Sequence, residues 1–263
     1  LRGTGTVSVQ GGDGGAGASF GGGGGGGGRL WIREQAYTAF SSTLTLRTAG
    51  GAGAGFGSFG AGGQAGVPFF DPLHWTGAGG NALASNGANW RGGAAPLGGS
   101  RLVFGAVTAL QICSWDMSVI PSSVSILLPQ ITTTVVLASS MSVAGSFDMA
   151  GGTLTAASGL VLRVDGALSQ TGGRMELSLS TLALAAAGGA FPVQFFDAIA
   201  RNLVVGGASP ATATVSGALT VSSRAFVSAG AELVLTTGTL RLDGDGPYTG
   251  AGGVSASTGH WTV

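Results

Sequence analysis

Short runs of alternating apolar and polar residues occupy most of this chain, and this period of two is typical of half-buried β-strands. Val124-Ser125-Ile126 and Leu177-Ser178-Leu179 are two of these runs. Glycine, serine or aspartate separates most of the runs, as turns between strands require. Stretches with apolar residues at helical spacing are interrupted by glycine or β-branched residues. The pattern therefore predicts an all-β fold with many short strands.

The runs in the second half of the chain also repeat at a fixed interval. Apolar residues and glycines return in the same order 21 residues later, from position 143 to position 164. The two copies are Val143-x-Gly145-x-Phe147-x-x-x-Gly151-Gly152-x-Leu154 and Val164-x-Gly166-x-Leu168-x-x-x-Gly172-Gly173-x-Met175. Repeats of about 20 residues build solenoids, in which stacked turns share one continuous core. We therefore predict a parallel β-solenoid (β-helix) over residues 101–263.

The first 66 residues carry a different repeat, in which a strand-like run leads into a glycine tract. Thr6-Val7-Ser8-Val9 precedes eight consecutive glycines at 21–28, and Thr43-Leu44-Thr45-Leu46 precedes a second glycine-rich stretch. The runs are 37 residues apart, from position 7 to position 44. Eight glycines alone also fit a disordered linker, because glycine loses the most entropy on ordering. Recurrence in phase with strands favours a glycine-rich β repeat region over 1–66, with polyglycine II-like packing of the tracts as a hypothesis.

Residues 67–100 are predicted to form a junction or cap between these two regions. The segment contains Pro68, Pro72 and Pro96, together with Trp75 and Trp90. Proline restricts the backbone and tryptophan buries a large ring, so both residues suit packed irregular structure.

Composition limits the classes of function. Of the 263 residues, 53 are glycine, 44% are hydrophobic and only 8% are charged. The net charge is zero, so neither nucleic acid nor an anionic membrane is an expected partner. Lysine is absent, which excludes a lysine Schiff base and a Walker phosphate loop. Low charge with small polar residues predicts an extracellular, cell-surface protein.

Two further sequence features bear on disulfide bonding and on a membrane span. The single cysteine, Cys113, permits no intramolecular disulfide, and we interpret it as a small buried hydrophobic residue. The most apolar stretch, 182–196, is interrupted by Gly188-Gly189 and Pro192, so no membrane span is predicted.

No catalytic, cofactor-binding or metal-binding residues are predicted, and the chain is not expected to be an enzyme. The two histidines, His74 and His260, are too few for a shared metal site. A Ser-His-Asp triad is not excluded by counting, but a nucleophile elbow, which needs a strand-to-helix turn at the serine, is not predicted. Isolated glycine-aspartate phrases at Asp13 and Asp243 lack the tandem pattern of a calcium-binding β-roll.

Carboxylates are the remaining candidates for chemistry, because parallel β-helices with clustered carboxylates cleave polysaccharides. Asp148, Asp165 and Glu176 lie in neighbouring repeats. In the 21-residue register Asp148 aligns with Ser169 and Asp165 with Ala144, so these carboxylates should not form one row. Stacking of exposed Trp75, Trp90 or Trp261 on sugars is a further alternative, although core or cap packing is favoured.

Two arginines have an aspartate two residues further along the chain, namely Arg163 with Asp165 and Arg241 with Asp243. Residues two apart point to the same face of a strand. We therefore predict weak ion pairs on a solvated outer face, worth at most about 1 kcal/mol each.

Several phrases resemble the repeat segments of very large bacterial secreted and cell-surface proteins. The first phrases are His74-Trp75-Thr76-Gly77-x-Gly79-Gly80 and Ala88-Asn89-Trp90, followed by Pro96, Leu102-Val103-Phe104 and Cys113-Ser114-Trp115-Asp116. In those proteins, which are similar to autotransporter passengers and filamentous adhesins, such phrases precede runs of β-helix coils. The resemblance implies a right-handed parallel β-helix at the cell surface and transfers no catalytic residue.

These observations together predict a structural extracellular segment of a surface adhesin, fibre or sheath. The expected partners are further copies of the chain or neighbouring segments of a longer one, with end-to-end assembly and surface glycans as additional possibilities. A carbohydrate-binding adhesin module and a carbohydrate-active β-helix enzyme are the alternatives. Two or more exposed tryptophans in a row would favour the module, and three or more acidic or arginine side chains in one groove would favour the enzyme.

Overall fold

The computed structural model describes residues 5–8, 11–13, 30–33, 44–47, 68–105, 112–127, 133–185, 189–206, 211–243, 249–256 and 260–262. The chain divides into two compact units, Leu1–Pro72 and Leu73–Val263. The division falls inside the predicted junction, and the predicted boundaries at residues 66 and 100 stay predictions. The described residues form strands and one short 3-10 turn, with no α-helix among them, which confirms the all-β prediction.

Among its described residues, the first unit contains four strands that pair in parallel. They are β1 (Gly5–Ser8), β2 (Leu30–Arg33), β3 (Leu44–Arg47) and β4 (Pro68–Asp71). Strand β1 pairs with β3, which places Val7 opposite Leu46, and β2 pairs with β4.

The pairing offset in this unit is 39 residues, from Val7 to Leu46, which is two more than the 37-residue spacing of the runs in the sequence. A shift of two residues keeps every side chain on the same face of a strand. Alternation alone consequently cannot distinguish the two registers. The predicted packing of the glycine tract 21–28 lies outside the described residues.

The second unit contains seventeen strands among its described residues. They are β5 (Leu73–His74), β6 (Arg101–Phe104), β7 (Ile112–Trp115), β8 (Ser123–Ile126), β9 (Thr134–Leu137), β10 (Met141–Val143), β11 (Phe147–Met149), β12 (Thr153–Ala156), β13 (Val161–Val164), β14 (Leu168–Gln170), β15 (Arg174–Leu184), β16 (Gly189–Val205), β17 (Ala211–Val227), β18 (Glu232–Leu242), β19 (Thr249–Gly250), β20 (Gly253–Ala256) and β21 (His260–Thr262).

These strands stack into three parallel ladders, which make a β-solenoid of about six turns. Ladder A runs through β5, β6, β8, β11, β14, β16, β17, β18 and β20. Ladder B runs through β7, β9, β12, β15, β16, β17, β18 and β21. Ladder C runs through β10, β13, β15, β16, β17 and β19. The long strands β15 to β18 turn the corner from one ladder to the next, and the predicted parallel β-solenoid is confirmed.

The 21-residue register is also confirmed. Val143 lies opposite Val164, Phe147 opposite Leu168 and Leu154 opposite Met175. One inward position of ladder C illustrates the core, because five successive residues at this position are 0% exposed. They are Val143, Val164, Leu184, Val205 and Val227. Each turn thus covers the apolar side chains of the turn before it, as a solenoid core requires.

Glycine sits where successive corners touch. A Cβ on Gly166 would lie 2.8 Å from the carbonyl oxygen of Gly145 in the preceding turn. A Cβ on Gly173, whose φ is +71°, would lie 2.5 Å from the carbonyl oxygen of Gly152. Real Cβ atoms do not tolerate such distances to backbone, so these corners need glycine for close approach.

Residues 73–100 form a packed irregular turn at the start of the second unit. The rings of Trp75 and Trp90 meet edge to face with centroids 5.2 Å apart, and both rings contact Phe104. Asn89 is completely buried; its Oδ1 accepts from the backbone of Gly79, and its Nδ2 donates to the backbone carbonyls of Asn81 and Leu83. Because both the oxygen and the nitrogen of this buried amide are hydrogen-bonded, Asn89 holds the turn in place without regular strand pairing.

Candidate functional site

An open groove of about 470 Å³ lies on the outer face of ladder C, near its corner with ladder B. We call it the arginine groove. It is lined by Thr181, Arg201, Asn202, Leu203, Val204, Ser223, Arg224 and Phe226. These residues come from three consecutive turns, on strands β15, β16 and β17.

A change of strand register shapes this groove. Ala200 lies opposite Val221, whereas Asn202 lies opposite Arg224. Two serines of β17 therefore face the single residue Arg201 of β16. An extra residue of this kind is a β-bulge, which bends the strand and redirects side chains. The corner consequently turns polar side chains outwards beside a regular, buried ladder.

After the bulge, the side chains of the two strands point alternately into the core and into the groove. Leu203 and Ala225 point inwards and are buried. Asn202 and Arg224 lie opposite each other on the outer face, followed by Val204 opposite Phe226. The Asn202 Nδ2 donates to the Thr181 Oγ1 across 3.2 Å, which joins two neighbouring turns. The groove therefore has a polar half next to an apolar half, and Phe226 is 42% exposed.

The charge of the groove is positive and uncompensated. Among the described residues, neither Arg201 nor Arg224 has a carboxylate partner within ion-pair distance. Leu203 and Phe226 occupy the positions two residues after them. A same-strand carboxylate is thus missing where other arginines of this unit have one.

Those other arginines form the ion pairs that the sequence predicts. The guanidinium of Arg163 donates to the Asp165 carboxylate across 2.6 Å, and Arg241 pairs with Asp243 in the same way. A third pair, Arg174 with Glu176 at 2.6 Å, was not predicted although it has the same spacing. All three pairs are exposed, so each contributes less than about 1 kcal/mol to stability.

The carboxylates singled out from the sequence do not converge. Asp148 lies opposite Ser169 in ladder A, as the register predicts. Asp165 follows β13 of ladder C and Glu176 belongs to ladder B, each paired with its own arginine. Within the described ranges, the structure contains no group of three or more histidine, cysteine, aspartate or glutamate side chains arranged to hold a metal ion.

The other candidates are equally separate. His74 is in ladder A opposite Val103, and His260 is in ladder B opposite Thr239. Asp13 lies in the first unit and Asp243 in the second, where it pairs with Arg241.

Tryptophan does not provide a sugar-stacking surface in the described core. Trp75, Trp90 and Trp115 are at most 2% exposed. The alternative of exposed Trp75 and Trp90 is therefore wrong, because both rings fill the irregular first turn. Trp261 lies opposite Leu240 in ladder B, and its side chain is outside the described residues.

Cys113 is a core residue. Its side chain is completely buried on β7, opposite Val135. Burial, and secondly the negative charge of Asp116, raises the pKa of the Cys113 thiol far above its ordinary value. The thiol is therefore held neutral and cannot act as a nucleophile at neutral pH, which confirms its interpretation as a small buried hydrophobic residue.

Comparison with known proteins supplies no relative for this chain. No protein-family model, no curated protein sequence and no solved structure matches it. Among the described residues, no helix is long and apolar enough to cross a membrane.

Proposed function

We propose that this chain is a structural β-solenoid segment of an extracellular surface adhesin, fibre or sheath. The observation that carries the proposal is the stack of buried side chains and parallel backbone ladders over about six turns. Such a stack is an elongated element in which each turn contacts mainly its neighbours. Its role is mechanical: backbone hydrogen bonds along the axis hold successive turns together.

Sequence properties support the surface location. The chain has few charges and no lysine, and its phrases around Trp75 and Trp90 resemble the repeats of large bacterial surface proteins. The proposal also includes a right-handed solenoid and a location at the cell surface.

The last described turn supports end-to-end assembly. Strand β20 pairs with β18, and its other edge has no partner in the described part of the chain. Val254 occupies an inward position, opposite Leu233 and in line with Ala213. Leu233 and Ala213 are buried, whereas Val254 is partly exposed. An unpaired edge with a partly open core position is suited to stacking by a further turn, from a longer chain or from another copy.

Electron microscopy of negatively stained protein tests this assembly. The purified chain should form filaments at high concentration, and Val254→Arg should prevent them because a charge would be buried at the junction. Leu179→Arg is the matched control, since Leu179 is 55% exposed on the flank of the solenoid. Circular dichroism must show that both variants keep the β fold.

Three results decide the proposal. Filaments of the wild type and of Leu179→Arg, without filaments of Val254→Arg, support end-to-end stacking. Loss of filaments in Leu179→Arg alone indicates lateral association and contradicts the end-to-end arrangement. A wild type that stays monomeric at every concentration contradicts self-assembly.

The enzyme alternative has less support. A carbohydrate-active β-helix would need three or more acidic or arginine side chains in one groove. The arginine groove contains two arginines and no carboxylate in its lining. The groove therefore favours binding over bond cleavage.

A further inference from the structure

We propose that the arginine groove binds an acidic carbohydrate, through its carboxylate or sulfate groups, on the side of the solenoid. This binding role goes beyond the structural function and does not depend on assembly. It starts from Arg201 and Arg224, two cations that share one groove without a carboxylate partner.

The strand register places the two cations close together. Asn202 and Arg224 are direct neighbours on adjacent strands, about 4.8 Å apart in the backbone. Arg201 is the residue before Asn202, at the bulge. Two guanidinium groups so placed repel each other, and an anion between them would remove that repulsion. The planar guanidinium also offers paired donors that match the oxygens of a carboxylate or sulfate.

The remaining lining residues fit a sugar better than a simple anion. Thr181, Asn202 and Ser223 provide hydroxyl and amide groups that exchange hydrogen bonds with sugar hydroxyls. Phe226 provides an exposed aromatic surface beside Val204, and an aromatic face packs against the C–H face of a sugar ring. An inorganic anion would use the arginines and leave the Phe226 surface unused.

The size and charge of the groove argue against nucleic acid. A nucleic-acid interface requires a basic stripe or patch that follows many phosphates. The chain has zero net charge, and arginines of the same unit, such as Arg163 and Arg174, are neutralised by carboxylates. A volume of about 470 Å³ is within the range of sites for small ligands or short saccharide units.

Isothermal titration calorimetry at low salt tests the proposal with defined probes. Oligogalacturonate presents carboxylates, chondroitin sulfate oligosaccharide presents carboxylates and sulfates, and neutral dextran oligosaccharide presents neither. We expect binding of at least one acidic probe and no binding of dextran. Affinity should fall as salt rises, because ionic contacts at an open groove are screened.

Variants assign this binding to the groove. Arg201→Gln and Arg224→Gln should each weaken the affinity about tenfold or more, since each removes a charge-assisted hydrogen-bond donor. Arg163→Gln and Arg241→Gln are matched controls that remove exposed but paired arginines, and they should change the affinity less than twofold. Phe226→Ala should weaken binding of the acidic saccharide and leave binding of inorganic sulfate unchanged.

Several results would overturn the proposal. These are equal binding of dextran, an acidic-probe affinity that Arg201→Gln and Arg224→Gln leave unchanged, and the absence of binding to either acidic probe. Tighter binding of single-stranded DNA than of the acidic saccharides would show that the groove is a nucleic-acid site instead. Melting temperatures of all variants within a few degrees of the wild type confirm that the comparison concerns binding.

Discussion

Glycine is the residue that sets how closely successive turns approach each other. The corners at Gly145 and Gly166 leave no room for a side chain, because a Cβ on Gly166 meets backbone atoms of the turn before it. Backbone cannot move aside as the end of a flexible side chain can. The glycine content of the second unit therefore reflects close packing at such corners, as well as turns with positive φ.

Gly166→Ala should accordingly destabilise the solenoid by about 1–3 kcal/mol, the usual cost of forcing an extra methyl group into a packed site. Gly98→Ala is the control, because a Cβ at Gly98 meets nothing within 4 Å. That substitution should be neutral or slightly stabilising through the unfolded chain. Urea unfolding midpoints measure both effects, and equal midpoints would refute the role of Gly166.

Cys113 makes a pH-dependent contribution to the stability of the fold, and this contribution can be measured separately. Burial raises the pKa of its thiol in the folded state, so the folded protein retains this proton when the unfolded chain has lost it. The unfolded state then binds fewer protons, and stability falls as pH rises above the ordinary thiol pKa of about 8.5. Below that pH the contribution is fully present.

Between pH 8 and pH 10 this thiol should lower the free energy of unfolding by about 2 kcal/mol. Cys113→Ser removes the titration and keeps the size of the side chain, so the loss should be smaller in that variant by the same amount. Chemical denaturation at the two pH values measures the difference. An identical loss in both proteins would show that Cys113 ionises freely in the fold.

Arginine shows what the sequence reveals about single residues and what it does not. The pairs at Arg163 and Arg241 are predictable, because a same-face partner two residues away needs only the period of a strand. Arg201 and Arg224 lack such a partner, but so does Arg101 outside the groove, so this lack alone does not locate the groove. Their convergence depends on the bulge at Arg201, and a bulge has no clear signature in a single sequence.

At the scale of elements, Gln170 shows how a buried polar side chain serves an irregular corner. It continues an inward row of ladder A formed by Phe104, Ile126 and Met149, yet it is completely buried. Its Nε2 donates to the carbonyl oxygens of Gly173 and Asp197 across 3.1 and 2.8 Å.

The same side chain also accepts a hydrogen bond from the backbone. The amide of Phe196 donates to the Gln170 Oε1 across 3.3 Å. Residues 196 and 197 lie within a change of register in β16, between Phe195 and Ala198, where the regular ladder is interrupted. Gln170 thus satisfies backbone groups that the ladder itself leaves without partners.

Gln170→Leu should cost about 3 kcal/mol or more, because three backbone groups would lose a partner in the core. Met149→Leu is the matched control one turn earlier, and a swap between apolar residues of similar volume should cost less than about 1.5 kcal/mol. Hydrogen exchange should also accelerate at the Phe196 amide in Gln170→Leu alone. Unfolding midpoints that fall equally in both variants would contradict this role.

The two repeats show why one register was predictable and the other was not. In the solenoid, inward apolar residues and corner glycines repeat together, so only an offset of 21 aligns Val143 with Val164 and Gly145 with Gly166. In the first unit, alternating Thr and Val or Leu residues match themselves after any even shift. The pairing of Val7 with Leu46 depends on contacts that the alternation does not encode.

At the scale of the whole second unit, stability should be distributed along one axis. Each turn of the solenoid contacts mainly the turn before and the turn after it. The total stability is therefore the sum of the stabilities of the single turns and of the interfaces between neighbouring turns. Interior turns have two such interfaces. The turn that contains β20 has one within the described residues. Local opening should therefore begin at an end of the stack and require more free energy towards the middle.

Leu182→Ala and Val254→Ala test this distribution. Leu182 is buried in ladder C between Leu162 and Leu203, so its truncation should cost about 2–5 kcal/mol. Val254 is partly exposed, so its truncation should lower the free energy of unfolding much less. Hydrogen exchange followed by mass spectrometry should show that protection lost in Leu182→Ala is greatest in β13, β15 and β16. Because coupling passes only between neighbouring turns, the loss should decline towards β8 and β18. A uniform loss of protection over all turns would mean that the solenoid unfolds as one indivisible unit, which would contradict the nearest-neighbour description.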